Sequence, residues 1–445
     1  MNAREIALNI LKDIDIKGAY SNYSIKKHIT DEVPIKDENF IREIVYGVVE
    51  NRLYIDYIIS KASNIKMKKI HSTILEILRM GVYQMVFMDK IPDSAAVNEA
   101  VILSKKYGHQ GVSGFVNGVL RNISRNKEVY KKIDKTNRLD YLSIKYSYPK
   151  WILKKWISDY GEKFTEKLCE ANNKKPLLNL RVNTLKTNRE DLIHRLGEYG
   201  YTVYKTKYAR DGIVVENPRR ITEIEEFKQG FFTIQDESSM LVGQIANPKK
   251  QSNILDLCSA PGGKATHMAQ IMDNQGHIRS RDIYEHKLRL IRENAQRLGI
   301  DIISTEIHDA RILDEDLIGK MDYCLVDAPC SGLGIIRRRP EIKWNRKEEG
   351  IDALKEMQLK ILNNAKQYIK SGGIIIYSTC TISKDENEKV INSFLTENKN
   401  LKLMGFKDLI CDIQYMDTSR EGYIQLFPHI HGTDGFFIAK IVKDL

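Results

Sequence analysis

Residues 253–270 read NILDLCSAPGGKATHMAQ. A short apolar run of β type, Asn253 to Leu257, meets a tight turn containing Pro261, Gly262 and Gly263, and helical texture follows. Strand, glycine-rich turn and helix make the crevice geometry of nucleotide-type sites. The turn has neither the GxGxxG nor the GK[ST] pattern, so it is not spaced to wrap a triphosphate. Its glycines let backbone approach a ligand that need not be a phosphate. Taken alone, such a turn is weak evidence, because many strand–helix turns contain glycine.

Outward from this stretch, apolar β-rich runs at Ile302–Ile307, Tyr323–Val326 and Gly373–Tyr377 alternate with helical segments. This pattern predicts a Rossmann-like α/β domain, a doubly wound and mostly parallel sheet, over residues 237–445. Acids recur at its strand ends: Asp256, then Asp282 closing HIRSRD, then Asp309 in IHDAR. A carboxylate after the second strand commonly accepts hydrogen bonds from ribose hydroxyls, and one after the third can face a base. Each acid singly is more often a solvated surface group. Their recurrence at three successive strand ends favours a ligand crevice.

Asp327-Ala328-Pro329-Cys330 closes the fourth strand and Ser378-Thr379-Cys380 the fifth. In the common order 3-2-1-4-5, strands one, four and five are neighbours ~4.8 Å apart, so both thiols face one crevice. Cys324, inside the fourth strand, reads as a core residue. Two thiols there suit methylation of carbon 5 of cytosine, which is too weak a nucleophile to attack a methyl sulfonium by itself. A thiolate added to carbon 6 activates carbon 5, and a second group finishes the cycle. Ser383 to Glu386 has the form of a capping box, and a helix N-terminus near Cys380 would favour its thiolate.

Ahead of the sheet domain the texture differs. Residues 1–130 show helical periodicity (Ile41, Ile44, Val45, Val48; later Ile74, Ile77, Leu78), with Asp93 or Ser94 as an N-cap and Gly108 as a stop. An all-helical domain of five or more helices is expected there. Over residues 140–236 short strands (LLNLRVNT, GIVVE) alternate with helices, which suggests a small α+β, ferredoxin-like connecting module.

The chain has 445 residues, 42% of them hydrophobic, which is material for more than one core. Its net charge of +11 favours a polyanionic partner. The opening MNAREIALNILKDID places acids where a secretory signal would be apolar, and no run approaches the ~20 apolar residues of a membrane span. A cytoplasmic chain away from membranes is expected, with cysteines 169, 258, 324, 330, 380 and 411 as thiols. Ten histidines form no ligand cluster, so no metal is expected.

DLCSAPGGKATH, DAPCSGLGIIRRRPEIKW, YSTCTISKDENE and DGFFIAK resemble the motifs of the NOL1/NOP2/Sun family of RNA 5-methylcytosine methyltransferases. The resemblance spans the whole chain. GAYSN, REIVYGVVENRLYID, LRMGVYQMVFMDKIPDSAAVNEAV and GFVNGVLRN resemble the NusB-like, RNA-binding front domain of the bacterial RsmB branch. LRVNTLKT and FTIQDESS resemble that branch's connecting domain. The resemblance implies S-adenosyl-L-methionine as cofactor, held by Cys258, Ser259, Ala260, Pro261, Gly262, Gly263, Lys264, Asp282, Asp309 and Asp327. It implies Cys380 as nucleophile, Cys330 as the thiol assisting proton removal and release, Asp327 on the cytosine edge or the methyl donor, and Lys264 reaching the base. Arg337, Arg338, Arg339 and Lys343 are the candidates for RNA phosphate contacts. The implied substrate is small-subunit 16S ribosomal RNA, at the family's cytosine 967, and a monomer is expected.

Ser259 and Ala265 stand where the family motif usually has alanine and threonine, and the second strand carries Arg279 and Arg281 where apolar residues are usual. Three other readings are weighed against this one. A tRNA cytosine methyltransferase is disfavoured by the helical front. A non-catalytic RNA-binding or antitermination factor predicts loss of a thiol, and both are present. A nicotinamide oxidoreductase lacks GxGxxG and any use for paired strand-end cysteines.

Overall fold

The computed structural model describes residues 2–30, 32–216, 218–410 and 417–444, so Cys411 lies outside the described residues. The chain forms two compact units. One comprises the chain up to Lys174 together with Ile336–Glu348; the other comprises Lys175–Ile335 together with the chain from Glu349 on.

The first unit is all helical. Its helices Ala3–Lys17, Ser21–His28, Ile35–Glu50, Arg52–Ala62, Ser72–Phe87, Asp93–Tyr107 and Gln110–Arg125 bury one apolar cluster containing Ile41, Ile44, Val45, Val48, Ile77 and Leu78. These are the periodic positions read from sequence, where one face of each helix supplies the core. Gly108 ends the sixth helix as expected. Asp93 begins that helix behind Pro92 without capping it; its carboxylate instead accepts from Ser124 Oγ at 2.7 Å and Lys127 Nζ at 2.8 Å.

Helices Arg138–Tyr146, Lys150–Tyr160 and Glu162–Asn172 also belong to this unit. The Tyr54 N–H donates to Ser147 Oγ at 3.1 Å, one of the bonds that join the two groups of helices. The segment Ile336–Glu348 arrives from far along the sequence. Its Trp344 packs against the same core and donates from Nε1 to the Val49 carbonyl at 2.9 Å.

The second unit holds all the described strands. β1 (Leu178–Val182), β2 (Thr202–Lys205), β3 (Gly212–Glu216) and β4 (Phe232–Ile234) form an antiparallel sheet in the order β2-β3-β1-β4, with helix Arg189–Glu198 packed against it. This is the expected ferredoxin-like module. Side-chain bonds tie it to the larger sheet's region. Arg181 on β1, fully buried, donates to the Gly263 carbonyl at 2.5 Å and to Thr266 Oγ1 at 2.9 Å. Asn183 Nδ2 donates to the Leu298 carbonyl at 2.8 Å.

The larger sheet comprises β5 (Asn253–Asp256), β6 (His277–Asp282), β7 (Ile303–Ile307), β8 (Met321–Asp327), β9 (Ile369–Thr379), β10 (Leu401–Leu403), β11 (Tyr423–Leu426) and β12 (Phe436–Lys443). The path is β10-β12-β9-β8-β5-β6-β7, with β11 paired to β12. β5 to β9 are mutually parallel and run in the expected order 3-2-1-4-5; β12 adds antiparallel to β9. Two clusters cover its faces, one around Met240, Met268 and Ile376, the other around Cys324, Leu362 and Tyr377.

The arginines on β6 are accommodated by its neighbour. Buried Arg281 donates from Nε to Glu306 at 2.9 Å and pairs with Asp314, while Arg279 pairs with Glu306 at 3.1 Å.

Candidate active site

β5 delivers Asp256 to the carboxyl edge of the sheet, and the turn after it leads into helix Gly263–Ile271. Gly262 in that turn has φ +92°, and a Cβ there would stand 3.0 Å from Ile291 Cγ2, so the position requires glycine. A cleft of about 280 Å³ opens beside the turn. It is lined by Asp256, Cys258, Ser259, Ala260, Pro261, Gly263, Lys264, Asp327 and Cys380, and also by Gln235, Asp236, Ser238, Ser239, Asp434 and Phe436.

Most of the residues expected at a cofactor therefore share one cleft. Gly262 supports the turn and does not line it. Asp282 and Asp309 lie outside the lining as well. Asp282, at the end of β6, accepts the Tyr284 N–H at 3.2 Å and faces Lys287 at 3.4 Å. Asp309 is chelated by its neighbour Arg311, whose guanidinium holds the carboxyl down to about 2.

Asp256 is 1% exposed, and neither of its oxygens has a hydrogen bond of ordinary geometry. Burial pushes its pKa up to about 7. Ser259 Oγ is a second buried polar atom without such a bond. Buried acceptors left open on a cleft wall are costly unless a ligand supplies donors or positive charge. The wall suits a ligand that carries hydroxyl or ammonium donors.

β8 and β9 set the opposite side. Asp327 pairs in register with Ser378, whose Oγ donates to Asp327 at 2.8 Å. Lys264 Nζ meets the other Asp327 oxygen at 2.6 Å and sits 5.4 Å from the centre of the Phe436 ring. Three residues beyond this register lies Cys330, two beyond it Cys380, and their sulfurs are 3.4 Å apart. The half-buried Cys330 thiol is held well above its ordinary range by the Cys380 sulfur first, then by burial and the nearby Glu386 carboxylate. Cys324 is fully buried in β8, a core residue as read from sequence.

The capping box expected at Ser383–Glu386 does not form. The next helix is Glu388–Glu397, and Glu386, fully buried, turns inward to accept the Ser331 N–H at 2.7 Å and Ser331 Oγ at 2.5 Å. The two thiol loops also meet through backbone. The Gly334 N–H donates to the Cys380 carbonyl at 3.0 Å, and the Gly435 N–H to the Gly334 carbonyl at 2.8 Å. A Cβ on Gly334 would stand 1.9 Å from the Gly435 oxygen.

The expected phosphate contacts fall in the helical unit. Arg339 is exposed and Arg337 and Arg338 are half-buried. Lys343 is 1% exposed and cannot offer its ammonium to a phosphate from this position. Its Nζ donates to Asn173 Oδ1 at 3.1 Å and the Glu50 carbonyl at 3.3 Å, and stands 4.0 Å from the Tyr148 ring centre. Burial lowers its pKa to about 8 and raises that of Glu50 to about 7. A run of charges in sequence reads as a solvated face, and nothing local marks the one that turns inward.

Sequence reasoning gave no role to Gln235, Asp236, Asp434, Phe436 or Arg181, and read Glu386 only as part of a helix cap. FTIQDESS and DGFF carried the family resemblance, but their place in the cleft depends on tertiary contacts. Among the described residues no helix is long and apolar enough to cross a membrane, and no group of three or more acids, histidines and cysteines could hold a metal ion.

Comparison with known proteins places this geometry. Residues 243–442 match the model described as 16S rRNA methyltransferase RsmB/F, residues 1–125 the NusB family, and residues 148–222 an RsmF/B-like ferredoxin-like domain. The chain is 38% identical over 449 residues to the probable ribosomal RNA small subunit methyltransferase B of Bacillus subtilis, covering 99% of each. It is 31% identical to ribosomal RNA small subunit methyltransferase B of Proteus mirabilis, again over 99% of each. A crystal structure of NSun6 from Pyrococcus horikoshii with SFG superposes with a TM-score of 0.60 at 25% identity, covering 67% of this chain and 99% of that one.

Proposed function

The chain belongs to the 16S rRNA methyltransferase RsmB/F family, and from that premise we propose that it methylates carbon 5 of a cytosine in 16S ribosomal RNA, using S-adenosyl-L-methionine. The observation that carries the reading is the pair of sulfurs, Cys330 and Cys380, 3.4 Å apart beside the cleft. The open Asp256 carboxylate, the 258–264 turn and Asp327 fit the cofactor from one lining, with Asp282 at the end of β6 outside it. When bound, the cofactor supplies an electrophilic methyl sulfonium.

Cys380 lines the cleft and is the nucleophile: its thiolate adds to carbon 6, and the resulting enamine lets carbon 5 take the methyl group. A base then removes the carbon 5 proton, the electron pair re-forms the 5,6 double bond, and the Cys380 sulfur leaves. Cys330, held largely as a thiol by its neighbours, carries this proton in concert: its S–H proton passes to the departing Cys380 sulfur 3.4 Å away as its sulfur takes the carbon 5 proton, so Cys330 ends as the thiol it began. Asp327, braced by Lys264 and Ser378, faces the base edge, and Lys264 can reach the same ring. The target base must be unstacked to enter.

The experiment is incubation of the chain with 16S rRNA, tRNA and labelled S-adenosylmethionine, followed by mapping of 5-methylcytosine. Label in rRNA at a single cytosine supports the reading; label confined to tRNA, or none in any RNA, overturns it. The family's cytosine 967 is the expected position.

A further inference from the structure

The two cysteines sit on loops that follow different strands, and 50 residues separate them in the chain. Strand pairing ends at Asp327 and Ser378, so the sheet ladder does not itself hold the sulfurs together. Close contact between two loop-borne thiols needs a further tie.

One buried carboxylate supplies it. Glu386 accepts both donors of Ser331, the residue after Cys330, at 2.7 and 2.5 Å. It also accepts Thr381 Oγ1, from the residue after Cys380, at 3.4 Å, and Ser331 Oγ meets Thr381 Oγ1 at 2.8 Å. Gln358 Nε2 donates to Glu386 at 3.3 Å and to the Pro329 carbonyl at 2.9 Å, which grips the residue before Cys330. The Tyr377 hydroxyl donates to the Glu386 carbonyl at 2.7 Å and fixes its backbone to β9. Glu386, Ser331, Thr381 and Gln358 are all fully buried.

We propose that Glu386 is a positioning residue that clips the Cys330 loop to the Cys380 loop and so keeps the two sulfurs in contact. It does not touch substrate; it acts through Ser331 and Thr381. A buried carboxylate fits this task because one group accepts from several donors at once, and such charge-assisted bonds are short and strong. Its negative charge also contributes to keeping Cys330 in the thiol form. The inference rests on the two-thiol reading above.

The test uses the reduced full-length chain and phenylarsine oxide, which bridges two adjacent thiols: two As–S bonds form, and the oxygen leaves as water with both thiol protons. Cys330→Ser identifies the signal from this pair. Glu386→Gln is expected to weaken arsenical bridging about 10-fold or more and to lower kcat for RNA methylation about 10- to 100-fold, since misplacement of a reacting group by ~1 Å costs on this scale. Cofactor affinity should stay within about twofold. Ser331→Ala, which removes only the hydroxyl and keeps the backbone N–H bond to Glu386, should shift both readouts in the same direction. The double variant should be no worse than Glu386→Gln alone, because the two residues act as one clip.

Wild-type bridging in Glu386→Gln overturns the proposal, and so do losses that simply add in the double variant. If the unsubstituted chain bridges arsenic but methylates no RNA, the methyl-transfer reading fails, and the arsenical data on the variants still decide the clip.

Discussion

Cys330 Sγ and Cys380 Sγ are 3.4 Å apart, close enough for hydrogen bonding and too far for a disulfide. At this distance one thiol can pass a proton to the other, so the two should have separable roles. Cys380→Ala should form no protein–RNA adduct and lower methyl transfer by at least about 10³-fold, as loss of a covalent nucleophile does. Cys330→Ala should still attack but release slowly, leaving a covalent complex that survives denaturing electrophoresis. An active Cys380→Ala enzyme would refute the assignment.

Asp256 should make the protein without cofactor less stable as pH rises. Its folded pKa, about 7, lies above the ordinary value of 3.8. The neutral form is therefore favoured on folding; the contribution is fully present below about pH 4 and disappears as pH passes 7. The difference corresponds to about 4 kcal/mol, with one pKa unit worth about 1.4 kcal/mol. Denaturant titrations at pH 5 and pH 8 should show Asp256→Asn with a flatter pH dependence than the wild type. Equal slopes would mean that Asp256 is not the group responsible.

Arg181 should matter to the cofactor cleft without lining it. Its guanidinium serves Gly263, Thr266 and Gln235 from inside the small module. Arg181→Met would leave buried acceptors unsatisfied at about 1–3 kcal/mol each. Thermal unfolding should fall by several degrees, and cofactor affinity should drop with it because Gly263 and Gln235 line the cleft. Unchanged cofactor affinity in a folded variant would separate the module from the turn.

Arg339 and Lys343 should behave oppositely in RNA binding. Arg339→Ala, at an exposed position, should reduce the slope of log K against log salt by about one if it neutralises a phosphate. Lys343→Ala should leave that slope unchanged and destabilise the helical unit, since its ammonium is spent on Asn173, Glu50 and Tyr148. A salt slope that changes with Lys343 and not with Arg339 would reverse these roles.

Gly334→Ala should be poorly tolerated. The added carbon would stand 1.9 Å from the Gly435 oxygen and 2.9 Å from the Cys380 oxygen, both backbone atoms. A loss of about 1–3 kcal/mol is expected, as for overpacking, together with slower methyl transfer because the displaced loop carries Cys330. Wild-type stability by chemical denaturation would contradict the close approach.

The parallel sheet and both thiols were legible because their signals are local: apolar runs between helices, and cysteines at strand ends in a known strand order. Arg281 was legible only as a departure, since Glu306 and Asp314, which pair with it, lie 25 and 33 residues away. Glu386 read as a helix cap because Ser383–Glu386 has the right local spacing; its actual donor, Ser331, is 55 residues distant. The helices at 138–172 group by contact with the amino-terminal helices, an association that local periodicity does not reveal.

The segment Ile336–Glu348 has a consequence for biosynthesis. It supplies the helical unit with Trp344 against the core and with Glu341, fully buried, which accepts the Ser21 N–H at 3.1 Å and the Ser21 hydroxyl at 2.7 Å. A ribosome emits Ser21 early and Glu341 only after 320 further residues. At about 5–20 residues per second, the nascent amino-terminal helices wait tens of seconds for their last internal partners. Their maturation is therefore tied to synthesis of the Cys330 loop, and a chain that stalls before residue 336 leaves Ser21, Val49 and Asn173 without those bonds.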